Sequence, residues 1–206
     1  MKLILGSDLS FLLKYGYSLT GIPKDEMRIG YVITAAKGNS EKGRLFAEEI
    51  KKTIRENNYV IDDIDIENKS EEGLRNFFKD KNVIHVEGGN TFYLLNATRK
   101  TGFDKILKEF LQKGVVYIGT SAGASIMGPS IEFSSYLPEN TRNEDLKSLG
   151  VVPFLIKAHY KDEKIEEYKK LLPTLKYPVR FLRDGQGILI EDEKYTFIGD
   201  GEEVKL

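Results

Sequence analysis

The stretch VVYIGTSAGASIMG (115–128) opens and closes on apolar residues, with mostly small residues between. Val115 to Ile118 read as a buried strand. Gly119 to Gly123 then spell G-x-S-x-G, and a helix start follows. Two readings compete for Ser121. A serine at the first turn of a helix is an ordinary N-cap. A serine on a sharp strand-to-helix turn is also how a nucleophile is pushed out of a sheet, and small neighbours keep strand and helix from clashing there. In the second reading the Ala122 N–H points at the oxyanion that develops as the serine attacks.

Outward from this motif, KLILGS (2–7), RIGYVITAA (28–36), YVIDDIDI (59–66), NVIHVEGG (82–89) and VVYIGT (115–120) read as strands. Helical patterns fall at 40–58, where Leu45, Phe46, Ile50 and Ile54 share one face. Further helices fall at 70–81, capped by Ser70, at 90–102, opened by Asn90, and at 103–114, stopped by Gly114. Near-continuous apolar strands alternating with helices indicate a parallel sheet covered on both faces. Past Ser130 the rhythm changes. IEFSSYLPENTRNEDLKSLG (131–150) is polar and irregular and reads as a surface excursion bordering the site. VPFLIKAHY (152–160) is expected to return to the sheet, and KDEKIEEYKKLL (161–172) to form a charged helix. VRFLR, QGILIED and KYTFIGDG sit close together, as antiparallel strands at an edge do. No repeat or linker interrupts residues 1–206, which predicts one domain.

Composition narrows the chemistry. The 206 residues carry 31 Lys and Arg against 32 Asp and Glu, a net charge of −1 that gives no sign of a nucleic-acid or membrane partner. No apolar run approaches the ~18 residues of a membrane span. The opening MKLILGSD is too short and too polar for a secretion signal, so a cytoplasmic protein is expected. There is no cysteine, which removes disulfides, thiolate metal sites and cysteine nucleophiles. The two histidines, His85 and His159, are too few for a metal site built on several imidazoles, and no metal or cofactor is expected.

Ligands of open α/β sheets bind at the carboxyl ends of strands. Two such ends stand out. VEGGNTF (86–92) is a tight strand-to-helix turn whose Gly88 and Gly89 present bare N–H groups, suited to an anion or oxyanion. GTSAG (119–123) is the other. A serine nucleophile needs a base. His85 lies inside a strand and reads as a buried, hydrogen-bonded residue, whereas His159 ends one and can face Ser121. Asp184, at the end of VRFLRD, would orient the imidazole. Glu191 and Asp192 are rivals that look like turn residues. The resulting order Ser–His–Asp differs from the Ser–Asp–His order of α/β-hydrolases.

GGNTFYLL (88–95), YIGTSAGASI (117–126), AHY (158–160) and LRDGQGILI (182–190) resemble the peptidase E, or aspartyl dipeptidase, family of serine exopeptidases. The resemblance runs in order over nearly the whole chain. It implies a class I glutamine amidotransferase-like fold: α/β, three layers, doubly wound in the flavodoxin-like manner, mostly parallel, with antiparallel strands at the C-terminal edge. It implies a triad falling on Ser121, His159 and Asp184, the last replacing the family's glutamate. The oxyanion hole falls on Gly89 and Ala122 beside Gly88. The family's Arg, which grips the substrate's N-terminal aspartate, has no match; Lys164 stands roughly at its place. Lys164 and Asn90 are the candidate substrate contacts. The expected function is hydrolysis of short peptides, dipeptides with N-terminal Asp being the family's class, by a monomer or homodimer. The alternative is a non-catalytic protein of the same fold that binds a small metabolite.

Overall fold

The computed structural model describes residues 1–136 and 145–206. Its main sheet has seven strands: β1 (Lys2–Gly6), β2 (Ile29–Val32), β3 (Ile61–Ile64), β4 (Val83–Val86), β5 (Val116–Thr120), β8 (Gly187–Glu191) and β9 (Lys194–Ile198). They lie in the order β3-β2-β4-β5-β1-β8-β9. The first five pair in parallel, and β8 and β9 add antiparallel pairs beyond β1. The apolar runs explain the centre: β2, β4 and β5 are buried along their whole length. The edge strand β3 instead exposes Asp62 and Asp63, charges that discourage further strand pairing.

Helices cover both faces. On one, α4 (Glu71–Phe78), α5 (Thr91–Thr101) and α6 (Phe103–Gln112) pack Leu74, Phe78, Leu94, Phe103, Ile106 and Leu107 against Ile84, Val86 and Tyr117. On the other, Phe11, Leu12, Tyr17 and Ile54 cover Ile4, Ile29, Tyr31 and Ile118. Each such side chain taken from water contributes roughly 1.5–3 kcal/mol. Ser70 caps α4 by accepting the Gly73 N–H at 3.1 Å.

Four expectations are corrected. RIGYVITAA leaves the sheet at Val32, and Thr34–Lys37 forms the short helix α2. Helix α3 (Glu41–Glu56) turns Ala47, Lys51 and Ile54 inward and leaves Leu45 and Phe46 largely exposed. Lys51 can lie inside because it pairs with Glu48 at 2.7 Å and Asp63 at 3.3 Å. The 131–150 excursion buries Ile131, Phe133 and Leu149, with Phe133 packed beside Leu155, Tyr160 and Phe181; residues 137–144 lie outside the described residues. Finally, VPFLIKAHY and VRFLR do not join the main sheet. Their strands β6 (Leu155–Lys157) and β7 (Val179–Phe181) form a separate two-stranded sheet and run parallel. Helix α8 (Ile165–Leu171) is the crossover that a parallel pair requires.

Candidate active site

The parallel pairing of β6 and β7 sets Lys157 opposite Phe181, so the two strands end side by side. His159 follows the first end by two positions and Asp184 follows the second by three. The Tyr160 N–H donates to Leu182 O and the Leu182 N–H to Lys157 O, both at 2.9 Å, which locks the two ends together. His159 Nδ1 lies 2.6 Å from Asp184 Oδ1, and its Nε2 lies 3.1 Å from Ser121 Oγ. A carboxylate at Nδ1 keeps the proton there and leaves Nε2 free to accept the serine proton.

Ser121 sits between β5 and the four-residue helix α7 (Ala122–Ser125), at φ 49° and ψ −105°. A side chain at positive φ is disfavoured by roughly 1–3 kcal/mol and persists only where its surroundings impose it. Here the Ser121 N–H donates to Gly6 O at 3.0 Å, and Ser121 O accepts from the Ser125 N–H at 2.9 Å. The Ser121 hydroxyl makes no capping bond to α7, so the N-cap reading fails. The flanking glycines of the motif are a packing requirement. A Cβ on Gly119 would lie 2.5 Å from Gly123 O, and one on Gly123 2.1 Å from Val86 O.

The second glycine turn abuts Ser121: a Cβ on Gly88 would stand 3.0 Å from Ser121 Cβ. Gly89, at φ 140°, adopts a conformation that side chains rarely take. Among the described residues the N–H groups of Gly88, Gly89 and Ala122 have no acceptor. Three uncommitted donors therefore flank the serine.

Serine, histidine and aspartate open onto a cavity of about 420 Å³. Leu9, Leu12, Phe46, Ala47 and Ile50 form its apolar lining, and the buried His85, Glu87 and Thr120 lie at its floor. Two carboxyl groups there escaped the sequence reading. Asp8 follows β1 and caps the short helix α1 (Leu9–Phe11) through the Phe11 N–H. It also accepts the Gly185 N–H at 2.9 Å, holding the turn that carries Asp184. Burial works to raise the Asp8 pKa, but hydrogen bonds from Gly185, Ser10, Phe11 and Ser7 outweigh it and hold the carboxyl below its ordinary value. S-D-x-S after a strand is a capping pattern and could have signalled the local role. Only the fold shows the partner 177 positions away.

Glu87 is 2 % exposed, and neither carboxyl oxygen has a hydrogen-bond partner. The Tyr31 hydroxyl, also unpartnered, is close enough to affect its titration without meeting hydrogen-bond geometry. Burial pushes the Glu87 pKa up to about 8. His85 is the buried strand histidine expected, 3.1 Å from the Tyr17 hydroxyl, and burial pushes it down to about 3. The other two candidates lie elsewhere. Asn90 caps α5, accepting the Tyr93 N–H at 3.0 Å while its amide donates to Gly38 O at 3.2 Å. Lys164 precedes α8 and pairs with Glu167 at 3.8 Å. Neither lines the cavity. Glu191 ends β8 and Asp192 turns the β8–β9 hairpin, both away from the cavity lining. Among the described residues no group of three or more His, Asp or Glu side chains could hold a metal ion, and no helix is long and apolar enough to cross a membrane.

The chain is similar in sequence and in fold to known proteins. A peptidase E of Shewanella amazonensis is 26 % identical over 192 residues, covering 87 % of this chain and 79 % of its own. An uncharacterized peptidase of Pasteurella multocida is 28 % identical over 178 residues, 84 % of this chain and 85 % of its own. In fold, a crystal structure of a Listeria monocytogenes protein assigned to peptidase E superposes with a TM-score of 0.82 at 22 % identity, covering 97 % of this chain and 98 % of that one. The profile of peptidase family S51 matches residues 18–198, a span that includes Ser121, His159 and Asp184. The chain belongs to peptidase family S51.

Proposed function

We propose that the protein is a serine-type exopeptidase that cleaves short peptides, dipeptides included, through an acyl-enzyme. Ser121 Oγ attacks the scissile carbonyl while His159 Nε2 takes its proton. Asp184 fixes the imidazole and stabilises the imidazolium. The N–H groups of Gly89 and Ala122, beside that of Gly88, receive the oxyanion, each worth roughly 3 kcal/mol. His159 then protonates the leaving amine, and the ester on Ser121 remains. Water attacks that ester with His159 again as base, releasing the acyl product and restoring the serine. A cavity of about 420 Å³ suits a ligand of dipeptide size.

One observation carries this reading: the unbroken hydrogen-bond chain from Ser121 through His159 to Asp184. The test is a dipeptide panel with varied first residues, run with a fluorophosphonate label on wild type and Ser121→Ala. Wild type should turn over at least one dipeptide and take the label at Ser121. Ser121→Ala should lose both, activity falling by about 10⁴-fold or more, with its melting temperature retained. Equal turnover by the two proteins would end the proposal.

A further inference from the structure

The cavity has a one-sided charge. Three carboxyl groups line it, Asp8, Glu87 and Asp184, and among the described residues no Lys or Arg does. The chain as a whole is nearly balanced, with 31 basic and 32 acidic residues, so this bias is local. Asp8 is held ionised and is only partly buried. Asp184 is committed to His159, which leaves Glu87 as the group without a task. A buried carboxyl with neither oxygen paired is costly, and natural proteins retain such groups where something else supplies the missing partner. The apolar part of the lining is Leu9, Leu12, Phe46, Ala47 and Ile50. An apolar lining beside a buried acid matches one kind of ligand, a methylene stem carrying a cationic head.

We propose that the cavity beside Ser121 receives a lysine-like cationic side chain on the residue whose carbonyl is attacked, with Asp8 on the wall and Glu87 at the floor selecting the charge. This rests on the peptidase reading of the same site. An aspartate side chain meets like charge here, so the family's aspartyl class is not the class this cavity favours.

Glu87 is shielded from bulk water, so its attraction for a cation in the cavity is little screened. The ionisable groups around it are Tyr31 on β2, Lys51 and Glu48 on α3, Asp63 on β3, Tyr17, and His85 on its own strand. Lys51 favours ionisation of Glu87, but it is already paired with Glu48 and Asp63, which oppose it. A cation arriving in the cavity shifts this balance. Glu87 then gives up its proton as the ligand binds, and the ligand carries the compensating charge.

Ser121→Ala protein binds without turning over and serves as the background. Calorimetry is run at pH 7 with Lys-Ala, norleucyl-Ala and Asp-Ala, in two buffers of different ionisation enthalpy. The expected order is Lys-Ala tightest, at least about tenfold over its uncharged isostere, with Asp-Ala weakest. Lys-Ala binding should release close to one proton, and norleucyl-Ala none. Adding Glu87→Gln should abolish the proton release and shrink the preference toward unity. Equal binding of Lys-Ala and norleucyl-Ala, tighter binding of Asp-Ala, no binding at all, or an unchanged ratio in Glu87→Gln each overturns the proposal. If Glu87→Gln does not fold, the three-ligand order and proton count on the Ser121→Ala protein decide. Turnover by Ser121-intact protein separates the two readings. Hydrolysis of Asp-Ala over Lys-Ala leaves the peptidase standing and removes the cation site. Proton-linked Lys-Ala binding without hydrolysis of any dipeptide does the reverse.

Discussion

Glu87→Gln should change the shape of the protein's pH–stability curve, and the two buried groups at the cavity floor say how. Glu87 binds its proton up to about pH 8 in the folded state, against 4.5 ordinarily. Between those values the unfolded chain has lost the proton and the folded chain keeps it, so stability falls as pH rises, by about 1.4 kcal/mol per unit. His85 works the other way. Folded, it stays neutral down to about pH 3, against 6.5 ordinarily. Between those values the unfolded chain holds the extra proton, so stability rises with pH at the same rate. From 4.5 to 6.5 the two slopes cancel and wild type should be flat. From 6.5 to 8 Glu87 acts alone and removes about 2 kcal/mol, or about 4–8 °C of melting temperature in a chain of this size. In Glu87→Gln the alkaline decline should vanish. The His85 slope, no longer opposed, should appear between 6.5 and 4.5. The carboxyls held low, Asp8, Asp63 and Asp65, titrate below this window. Chemical denaturation at half-unit intervals from pH 4.5 to 8 measures both curves. Parallel curves for wild type and Glu87→Gln would refute the buried-acid reasoning.

Two further outcomes follow from named contacts. Asp8→Ala removes a helix cap and the anchor of the Gly185 turn. It should cost about 1–2 kcal/mol by denaturation, and it should lower kcat on an uncharged dipeptide more than it raises KM, because Asp184 loses its support; a change confined to KM would count against that role. Gly123→Ala forces a Cβ to within 2.1 Å of Val86 O. It should destabilise by at least about 1–3 kcal/mol and shift Ser121, read as a lower melting temperature together with lost fluorophosphonate labelling; a folded, fully labelled variant would show that the helix need not approach so closely.

What could be read from the sequence was local, and what could not was set by partners far along the chain. G-x-S-x-G and the Gly88–Gly89 turn announce themselves because each needs small residues within a few positions. His159 was reached by scarcity, since only one other histidine exists and it lies inside a strand. On α3, Leu45 and Phe46 look like core in the sequence, yet both are exposed. Lys51 takes an inward place through Asp63 on a different element. The parallel pairing of β6 with β7 was hidden for a similar reason. Close spacing after Val179 suggested hairpins, but only β8 and β9 form one, and β7 pairs with a strand on the far side of α8. Antiparallel pairing of β6 and β7 would have sent Asp184 to the opposite end from His159. Asp184 lies in the turn three positions past the end of β7, and the parallel pairing that brings this turn to His159 is a property of the fold that no local stretch of sequence carries.

Ser121 and its hydrogen-bonded partners therefore sit on different sheets, and something must hold the gap between them. Two side-chain ties help to do so, beside backbone bonds such as Ser7 N–H to Gln186 O at 2.9 Å and Val152 N–H to Met127 O at 3.0 Å. Ser125 Oγ lies 3.0 Å from Ser121 O and 3.3 Å from Ile156 O, coupling the turn that carries the serine to the strand that carries the histidine. Asp8 Oδ1 takes the Gly185 N–H, coupling the end of β1 to the turn that carries the aspartate. His159 itself sits at φ 56°, so both it and Ser121 hold backbone conformations that relax if left unsupported. A hydrogen bond of 3.1 Å between side chains on two such residues tolerates little drift before it is lost. Asp8 and Ser125 thus support the site alongside those backbone bonds: Ser125 ties the Ser121 turn to β6, and Asp8 ties the Asp184 turn to the end of β1.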